Sequence, residues 1–227
     1  MTVAIHQIPL GITNCYLIRD EGTVLVDGGP PKNIRKFLKT LSGLAIEPHE
    51  ISLILLTHCH WDHIGSAAEI KALTGAKLVI HRNGRDFMEK EGLKMVVPPA
   101  TCLWGRLVRA TTVRLATAIA SYPRTTVDLV LGDDEFSLSD YGIDGSVIYT
   151  PGHSSDSVSL LLDTGEAFVG DLAMNGLPMR IGAGMPIFAD DVGVVRESWR
   201  MLIDMGAKVF YPAHGNPFAA DRLKGVA

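Results

Sequence analysis

The chain has 227 residues, of which 47% are hydrophobic, and a formal net charge of −4. This composition allows one domain with a large buried core, and we predict a single domain over residues 1–227. A net negative charge disfavours binding to the phosphate backbone of nucleic acids, so we expect a small-molecule partner and no nucleic acid.

The N-terminus predicts no export. The first 20 residues contain no basic segment with a long apolar run after it, and no stretch of about 18 residues is apolar without a charge. We therefore expect a cytoplasmic protein without a membrane span. Three cysteines, Cys15, Cys59 and Cys102, are too few for a disulfide framework, and we expect reduced thiols.

The first half of the chain is predicted to alternate between strands and helices. Residues 51–56 are almost all apolar, as in a strand buried on both faces. In chain order, the predicted elements are strands 3–8, 14–19 and 23–26, helix 30–41, strand 51–56, helix 65–73, strand 76–80 and helix 83–90.

The second half returns to strands, with one long helix near its end. The predicted elements are strands 135–138, 146–150, 158–163 and 166–169, helix 191–205 and strand 208–211. The pattern predicts an α/β fold in which two sheets pack face to face with helices outside.

Four potential metal ligands lie within six residues directly after strand 51–56: His58, His60, Asp62 and His63. In an extended segment His58 and His60 project to the same side, whereas Cys59 projects to the other and is predicted to pack in the core. A helix that begins near Asp62 would direct Asp62 and His63 to a second ion. Imidazole and carboxylate groups suit Zn²⁺ and similar divalent metals.

Three further candidates lie where predicted strands end: His153, Asp171 and His214. Five of the eight histidines thus belong to candidate ligand segments. The other three have no ligand partner at a useful spacing, and we predict that they are structural or solvated. These are His6, His49 and His81.

These segments resemble the motifs of the metallo-β-lactamase superfamily, with a glyoxalase II-like or lactonase-like HxHxDH core. The matching segments are THCHWDH (57–63), PGHSSDS (151–157), GD (170–171) and PAHG (212–215), preceded by DGG (27–29). The resemblance covers almost the whole chain and implies a four-layer αββα sandwich.

The resemblance also implies two divalent ions, most plausibly Zn²⁺ with Mn²⁺ or Fe²⁺ as alternatives. The two ligand sets are His58, His60 and His153, then Asp62, His63 and His214, with Asp171 bridging both ions. A bridging hydroxide would attack an ester, lactone, thioester or phosphoester, and Asp62 would pass a proton to the leaving group. Asp62 and Asp171 are therefore the candidate catalytic residues.

The same resemblance bears on the kind of enzyme. β-Lactamases of this fold usually lack the bridging aspartate, so Asp171 argues against antibiotic hydrolysis. Glyoxalase II enzymes carry a helical domain after the last histidine, whereas thirteen residues follow His214 here. Flavodiiron proteins continue into a flavin-binding domain and replace one histidine with a carboxylate. One alternative is an iron oxygenase similar to persulfide dioxygenases, which would use His58, His153 and Asp171. A non-catalytic scaffold would be expected to lack a ligand, and none is missing.

Two regions are candidates for substrate selection. Residues 92–127 contain no Asp or Glu and combine arginines with a loosely amphipathic helical pattern. This region could be a lid over an anionic substrate, a dimer arm, an element at a membrane surface, or an ordinary surface helix pair. The residues concerned are Lys94, Arg106, Arg109, Arg114 and Arg124, with Leu103, Trp104, Leu107, Val108, Leu115 and Ile119.

The second region, residues 175–189, is rich in Gly, Pro and Met. It could form an apolar wall of the site or be only a connection. The predicted wall residues are Met179, Met185, Ile187 and Phe188. Near the motifs, Asp27 is predicted either to orient a ligand or to form a turn. Ser154, Ser155 and Asp156 are predicted to hold the His153 loop by local hydrogen bonds.

Overall fold

The computed structural model describes residues 3–90, 96–113 and 121–225. The strands are β1 (Ala4–Leu10), β2 (Thr13–Arg19), β3 (Thr23–Val26), β4 (Leu53–Leu55), β5 (Lys77–His81), β6 (Leu129–Leu131), β7 (Phe136–Ser137), β8 (Gly145–Tyr149), β9 (Val158–Leu162), β10 (Glu166–Gly170), β11 (Met174–Asn175), β12 (Ala183–Gly184), β13 (Val209–Pro212) and β14 (Phe218–Ala219). The α-helices are α1 (Ile34–Gly43), α2 (Trp61–Ile64), α3 (Ala67–Thr74), α4 (Arg85–Glu89), α5 (Leu103–Val108) and α6 (Val192–Asp204).

Within these described residues the strands form two six-stranded sheets and one small strand pair. The first sheet has the order β1-β2-β3-β4-β5-β6, and the second has the order β14-β13-β10-β9-β8-β7. Strands β3 to β6 run parallel to one another, and β13 runs parallel to β10. The N-terminal half of the chain therefore builds one sheet and the C-terminal half builds the other.

The sheets pack face to face, with helices on both outer faces. Residues of both sheets, such as Leu55 of β4 and Leu160 of β9, share one buried core between them. Phe37 of α1 packs in a second core on the outer face of the first sheet, and Trp199 of α6 packs in a third core on the outer face of the second sheet. The predicted αββα sandwich is confirmed.

Strand β4 shows why the apolar run at 51–56 was informative. Leu53 and Leu55 belong to the core between the sheets, whereas Ile54 belongs to the core under the helices. All three side chains are fully buried. The strand thus ends inside the molecule, and the metal-ligand motif begins where it ends.

One predicted helix boundary was wrong, and four short strands, β6, β11, β12 and β14, were not predicted. The first helix begins at Ile34 and not at residue 30, because Lys32 has a left-handed backbone (φ 66°) that a helix cannot include. Strand β6, Leu129–Leu131, was not predicted. It is short, and its central residue Val130 is exposed, so it lacks the apolar run of an inner strand.

The described part of residues 92–127 includes α5, and its chain continues in a π-helical turn over Arg109–Val113. The helical prediction is therefore confirmed at its start. Four of the residues named for this region, Lys94, Arg114, Leu115 and Ile119, lie outside the described residues. Across the part of the chain that the structure describes, none of the helices has the length and apolar character needed to cross a bilayer.

One buried hydrogen bond links the two sheets beside the last ligand segment. The hydroxyl of Tyr16 on β2 donates to the carbonyl of Pro212 on β13 at 2.7 Å. We expect Tyr16→Phe to lower the free energy of unfolding by about 1–3 kcal/mol, because a buried carbonyl loses a donor. Urea denaturation measures this. Tyr149→Phe is the control, since its hydroxyl bonds the carbonyl of Ser155 at an exposed position. Equal losses in both variants would contradict the prediction.

Candidate metal centre

The structure brings all seven predicted ligands together at one edge of the sandwich. His58 and His60 follow β4, and α2 carries the next two ligands of the motif. The remaining ligands follow strands of the second sheet: His153 after β8, Asp171 after β10 and His214 after β13. Their candidate ligand atoms form two groups, in each of which the atoms lie within 4.8 Å of one another. The groups are His58, His60, His153 and Asp171, and then Asp62, His63 and His214.

Asp171 lies between the two groups. Its Oδ1 is 3.4 Å from Nε2 of His63 and 3.3 Å from Nε2 of His214. Its Oδ2 is 3.6 Å from Nε2 of His153. One carboxylate oxygen therefore faces each group, which is the arrangement that a bridging ligand requires.

In the first group, ring nitrogens of His58 and His153 both lie close to a ring nitrogen of His60. Its Nδ1 lies 3.0 Å from Nε2 of His58 and 3.0 Å from Nε2 of His153. The extended backbone at His60 (φ −72°, ψ 148°) directs the ring to the same side as His58, as the alternation of an extended segment predicts.

Most of the imidazoles are oriented by a partner on their outer nitrogen. A carbonyl or carboxylate only accepts hydrogen bonds, so an Nδ1 that contacts one must carry a proton, and Nε2 is the ring nitrogen that can face a metal ion. The contacts of this kind, each 2.8 Å long, are His63 with Asp27 Oδ2, His153 with the Phe188 carbonyl, and His214 with the Ile12 carbonyl.

Asp27 is placed to orient a candidate ligand, as predicted, because its Oδ2 contacts Nδ1 of His63. Besides His63, its carboxylate accepts hydrogen bonds from the backbone N–H of Thr57 at 2.8 Å and from the Thr57 hydroxyl. Its backbone is left-handed (φ 64°), a conformation that aspartate tolerates better than most residues. Asp27 therefore forms the turn after β3 and also fixes the His63 ring.

The protonation states of the three histidines in the first group favour metal binding. Burial lowers the pKa of His58 well below its usual value, and it also lowers that of His60. Burial brings the pKa of His153 to about 4. These rings are therefore neutral near pH 7, the form in which imidazole donates a lone pair to a cation.

In the second group, interactions with charged neighbours together affect the pKa values more strongly than burial does. Burial lowers the pKa of His214, but the negative charge of Asp171 and a hydrogen bond with Asp62 outweigh burial and raise it to about 9. Burial raises the pKa of Asp62, but the hydrogen bond with His214 outweighs it, and the pKa lies at about 2. Asp62 is therefore ionised at neutral pH.

Two buried atoms at the centre of the site have no hydrogen-bond partner. They are Nε2 of His63 and Oδ1 of Asp171, which face each other. Unsatisfied polar atoms are costly in a protein interior, and a cation between these ligands would satisfy both. The nitrogen and oxygen donors, the neutral rings of the first group and these two unpartnered atoms all fit divalent metal ions.

The sequence profile of the Metallo-beta-lactamase superfamily matches residues 8–214. The chain belongs to this superfamily. It is 30% identical over 222 residues to the metallo-beta-lactamase fold-containing protein ST1585 of Sulfurisphaera tokodaii, an alignment that covers 93% of this chain and 78% of that protein. The crystal structure of ST1585 superposes with a TM-score of 0.70 at 25% identity, covering 98% of this chain and 84% of that one.

Other proteins are similar to this chain over most of its length. The probable metallo-hydrolase YqgX of Bacillus subtilis is 26% identical over 172 residues, 74% of this chain and 69% of that protein. The B3 metallo-beta-lactamase BLEG-1 shares the fold, with a TM-score of 0.71 at 22% identity and coverage of 98% and 97%. The chain spans 59% of the beta-lactamase-like protein 2 homologue of Drosophila melanogaster, with which it is 28% identical over 90% of its own length.

The segment after His153 is held as predicted. The hydroxyl of Ser154 donates to Asp156 Oδ1 at 2.7 Å, and the carbonyl of Ser155 accepts hydrogen bonds from two side chains. The other oxygen of Asp156 accepts from the backbone N–H of Cys59 at 2.8 Å, which joins this loop to the first motif. The Cys59 thiol donates to the Gly84 carbonyl at 2.9 Å in the core, away from the metal ligands, as predicted.

The other histidines lie apart from the ligand groups found among the described residues. His49 is exposed in a 3₁₀ turn, and His6 lies on β1. His81 is buried, stacks on Tyr149 and contacts Asp133 at 3.0 Å. The prediction that these three are structural or solvated agrees with their placement.

A cavity of about 90 Å³ opens on the metal ligands. The predicted wall residues Met179, Ile187 and Phe188 line it. Met185 was predicted to line it too, but it is absent from this lining because its side chain packs against the core on the outer face of the second sheet. Sequence analysis missed Ile12, Trp61, Met174 and Val97, which also line the cavity.

Residues 92–127 contribute apolar side chains to this cavity. Val97 and Val108 line it. The described arginines of the region lie elsewhere: Arg106 and Arg109 are exposed, and Arg124 stacks on the Tyr122 ring at 4.2 Å. These three arginines do not line the cavity, and a basic face toward an anionic substrate stays a prediction.

Proposed function

We propose that this protein is a hydrolase that uses two divalent metal ions, most plausibly Zn²⁺, and acts on an ester, lactone, thioester or phosphoester of a small molecule. The observation that carries the proposal is the position of Asp171, with one oxygen toward each of two complete ligand groups. Similarity to YqgX, a probable metallo-hydrolase, supports the same class of reaction.

The ligand residues would share the work as follows. The rings of His58, His60 and His153 would hold one ion, and Asp62, His63 and His214 would hold the other, with Asp171 contacting both. Bound at such a site, two divalent ions polarise a carbonyl or phosphoryl group and lower the pKa of water.

Asp62 is the candidate for proton transfer. Its Oδ2 lies 3.3 Å from Nε2 of His214 and 3.4 Å from the Thr13 hydroxyl, and it lines the cavity. It is ionised near pH 7, so it would be the carboxylate placed to take up a proton and pass it to the leaving group.

The proposal is tested by counting zinc, iron and manganese per chain in the purified protein and by assaying a panel of esters, lactones, thioesters and phosphoesters. Two zinc or manganese ions together with hydrolysis of one class would support it. One iron per chain with oxygen consumption and no hydrolysis would replace it with an oxygenase. His49→Ala is the matched control for ligand variants, because His49 is exposed and outside both groups.

A further inference from the structure

Exposed apolar side chains are concentrated around the mouth of the metal site. Single exposed apolar residues are ordinary, but a cluster of them marks a binding surface. Of the ten large hydrophobic side chains that are exposed among the described residues, three lie elsewhere: Leu73, Val130 and Met205. Of the other seven, Ile12 lines the metal cavity, and Trp104, Leu177 and Ile181 line a groove beside it. Leu103 and Leu107 lie on α5, and Val96 lines a pocket that includes His60.

A groove of about 510 Å³ runs between α5 and the segment that follows β11. Its walls include Trp104 from the helix side, and Leu177 and Ile181 from the opposite segment. Met179 and Ile187 line both this groove and the metal cavity. The groove therefore lies directly beside the site at which the reaction is proposed to occur, and the two share part of one wall.

The two walls of the groove are tied together. The backbone N–H of Thr101 donates to the Ile187 carbonyl at 3.0 Å, and Ala100 pairs with Phe188 in an isolated bridge. At the far wall, Trp104 Nε1 donates to the Pro178 carbonyl at 2.9 Å. The groove is thus already formed without a ligand, which lowers the entropic cost of binding one.

The lining of the groove fits an apolar ligand. Arg180 is the one charged residue among those described as lining it, and its Nη1 already donates to the Met185 carbonyl at 3.0 Å. A charged or strongly polar ligand would find few partners along these walls.

The volumes of the metal cavity and the groove also indicate that most of a substrate would lie in the groove. The metal cavity holds about 90 Å³, well below the roughly 300–1,000 Å³ of pockets that enclose whole small molecules. It can take the reacting group, but the remainder of a substrate must lie outside it. The groove of about 510 Å³ is within that usual range.

We propose that the substrate carries an extended apolar acyl chain that lies in the groove between α5 and the segment after β11, while its reacting carbonyl enters the metal cavity. This inference rests on the proposed hydrolase function and specifies its substrate class.

Chain-length dependence tests it in the metal-loaded protein. We expect kcat/KM to rise at least about 30-fold from p-nitrophenyl acetate to p-nitrophenyl octanoate, because each methylene removed from water contributes up to roughly fourfold. In the double variant Leu177→Ser/Ile181→Ser, the octanoate-to-acetate ratio of kcat/KM should fall about tenfold. The double variant Leu73→Ser/Met205→Ser removes two exposed apolar side chains far from the groove and should leave the ratio unchanged.

A second measurement needs no hydrolysis. Decan-1-ol should bind saturably, with a Kd at least about tenfold lower than that of butan-1-ol. The change in fluorescence of Trp104, which lines the groove, reports binding, and Trp104→Phe should remove that signal. The groove double variant should weaken binding of decan-1-ol, and the control double variant should not.

The two measurements separate failure of this inference from failure of the hydrolase proposal. Saturable decan-1-ol binding that is weakened by the groove variant, with no ester, lactone, thioester or phosphoester hydrolysed, would support the groove and overturn the hydrolase. Ester hydrolysis independent of chain length, without saturable decan-1-ol binding, would overturn the groove inference alone. If the groove variant instead abolishes dimerisation or binding to phosphatidylcholine vesicles, the surface docks a second copy or a membrane, and the inference is wrong.

Discussion

Replacing Asp171 with asparagine is expected to remove at least one metal ion per chain and to lower kcat/KM for hydrolysis by at least about 100-fold. The carboxylate faces both ligand groups, and its Oδ1 is buried without a hydrogen-bond partner. Asparagine removes the negative charge and turns an N–H donor toward one group. Loss of partners that only orient ligands costs 10–100-fold in metal affinity or activity, so loss of a shared ligand should cost more.

Elemental analysis and kinetics on the same preparation measure both effects. Asp163→Asn is the matched control, since Asp163 lies in the turn directly before β10 with its side chain exposed. An Asp171→Asn variant that keeps two ions and a tenth or more of the activity would show that this carboxylate is not a shared ligand.

Asparagine at Asp27 is expected to weaken metal binding by the second group about 10–100-fold while leaving the protein folded. The two Asp27 oxygens accept from His63 Nδ1 and from the backbone N–H of Thr57. Asparagine has only one accepting oxygen. If its amide N–H₂ faces His63, the imidazole proton must move to Nε2, the atom that faces Asp171. If the amide N–H₂ faces Thr57, it meets the backbone N–H of Thr57, and neither of these two donors has an acceptor.

Titration with Zn²⁺ against a competing chelator measures this loss. Asp128→Asn is the control, because its carboxylate also accepts a backbone N–H, that of Leu78 at 2.7 Å, far from the metal centre. We expect one of two bound ions to be lost at chelator concentrations that leave both on the control. Equal retention in the two variants would mean that the His63 tautomer is fixed by something other than Asp27.

The parts of the site that were predictable from sequence are those fixed by local geometry. His58 and His60 share a side because the segment after β4 is extended, and Asp62 diverges because a helix begins at Trp61. The apolar run at residues 51–56 predicted a strand buried on both faces, and the residues of β4 are fully buried. The remaining ligands could be named because they follow strands and match family motifs.

What the sequence did not disclose depends on contacts between distant segments. His214 is oriented by the carbonyl of Ile12 and His153 by that of Phe188, and every residue has a carbonyl, so no letter of the sequence marks these partners. The same holds for the cavity wall. Met185 resembles Met179 in sequence context, and only the path of the folded chain decides which of them lines the cavity.

The division of the ligands between the two sheets has a consequence for the whole molecule. His58 and His60 follow a strand of the N-terminal sheet, whereas His153, Asp171 and His214 follow strands of the C-terminal sheet. An ion bound by ligands from both sheets would link the sheets to each other. Unfolding that separates the sheets would therefore have to release the ion. Free metal concentration would then set part of the thermal stability, and a newly synthesised chain could complete both ligand sets only after β13 had docked.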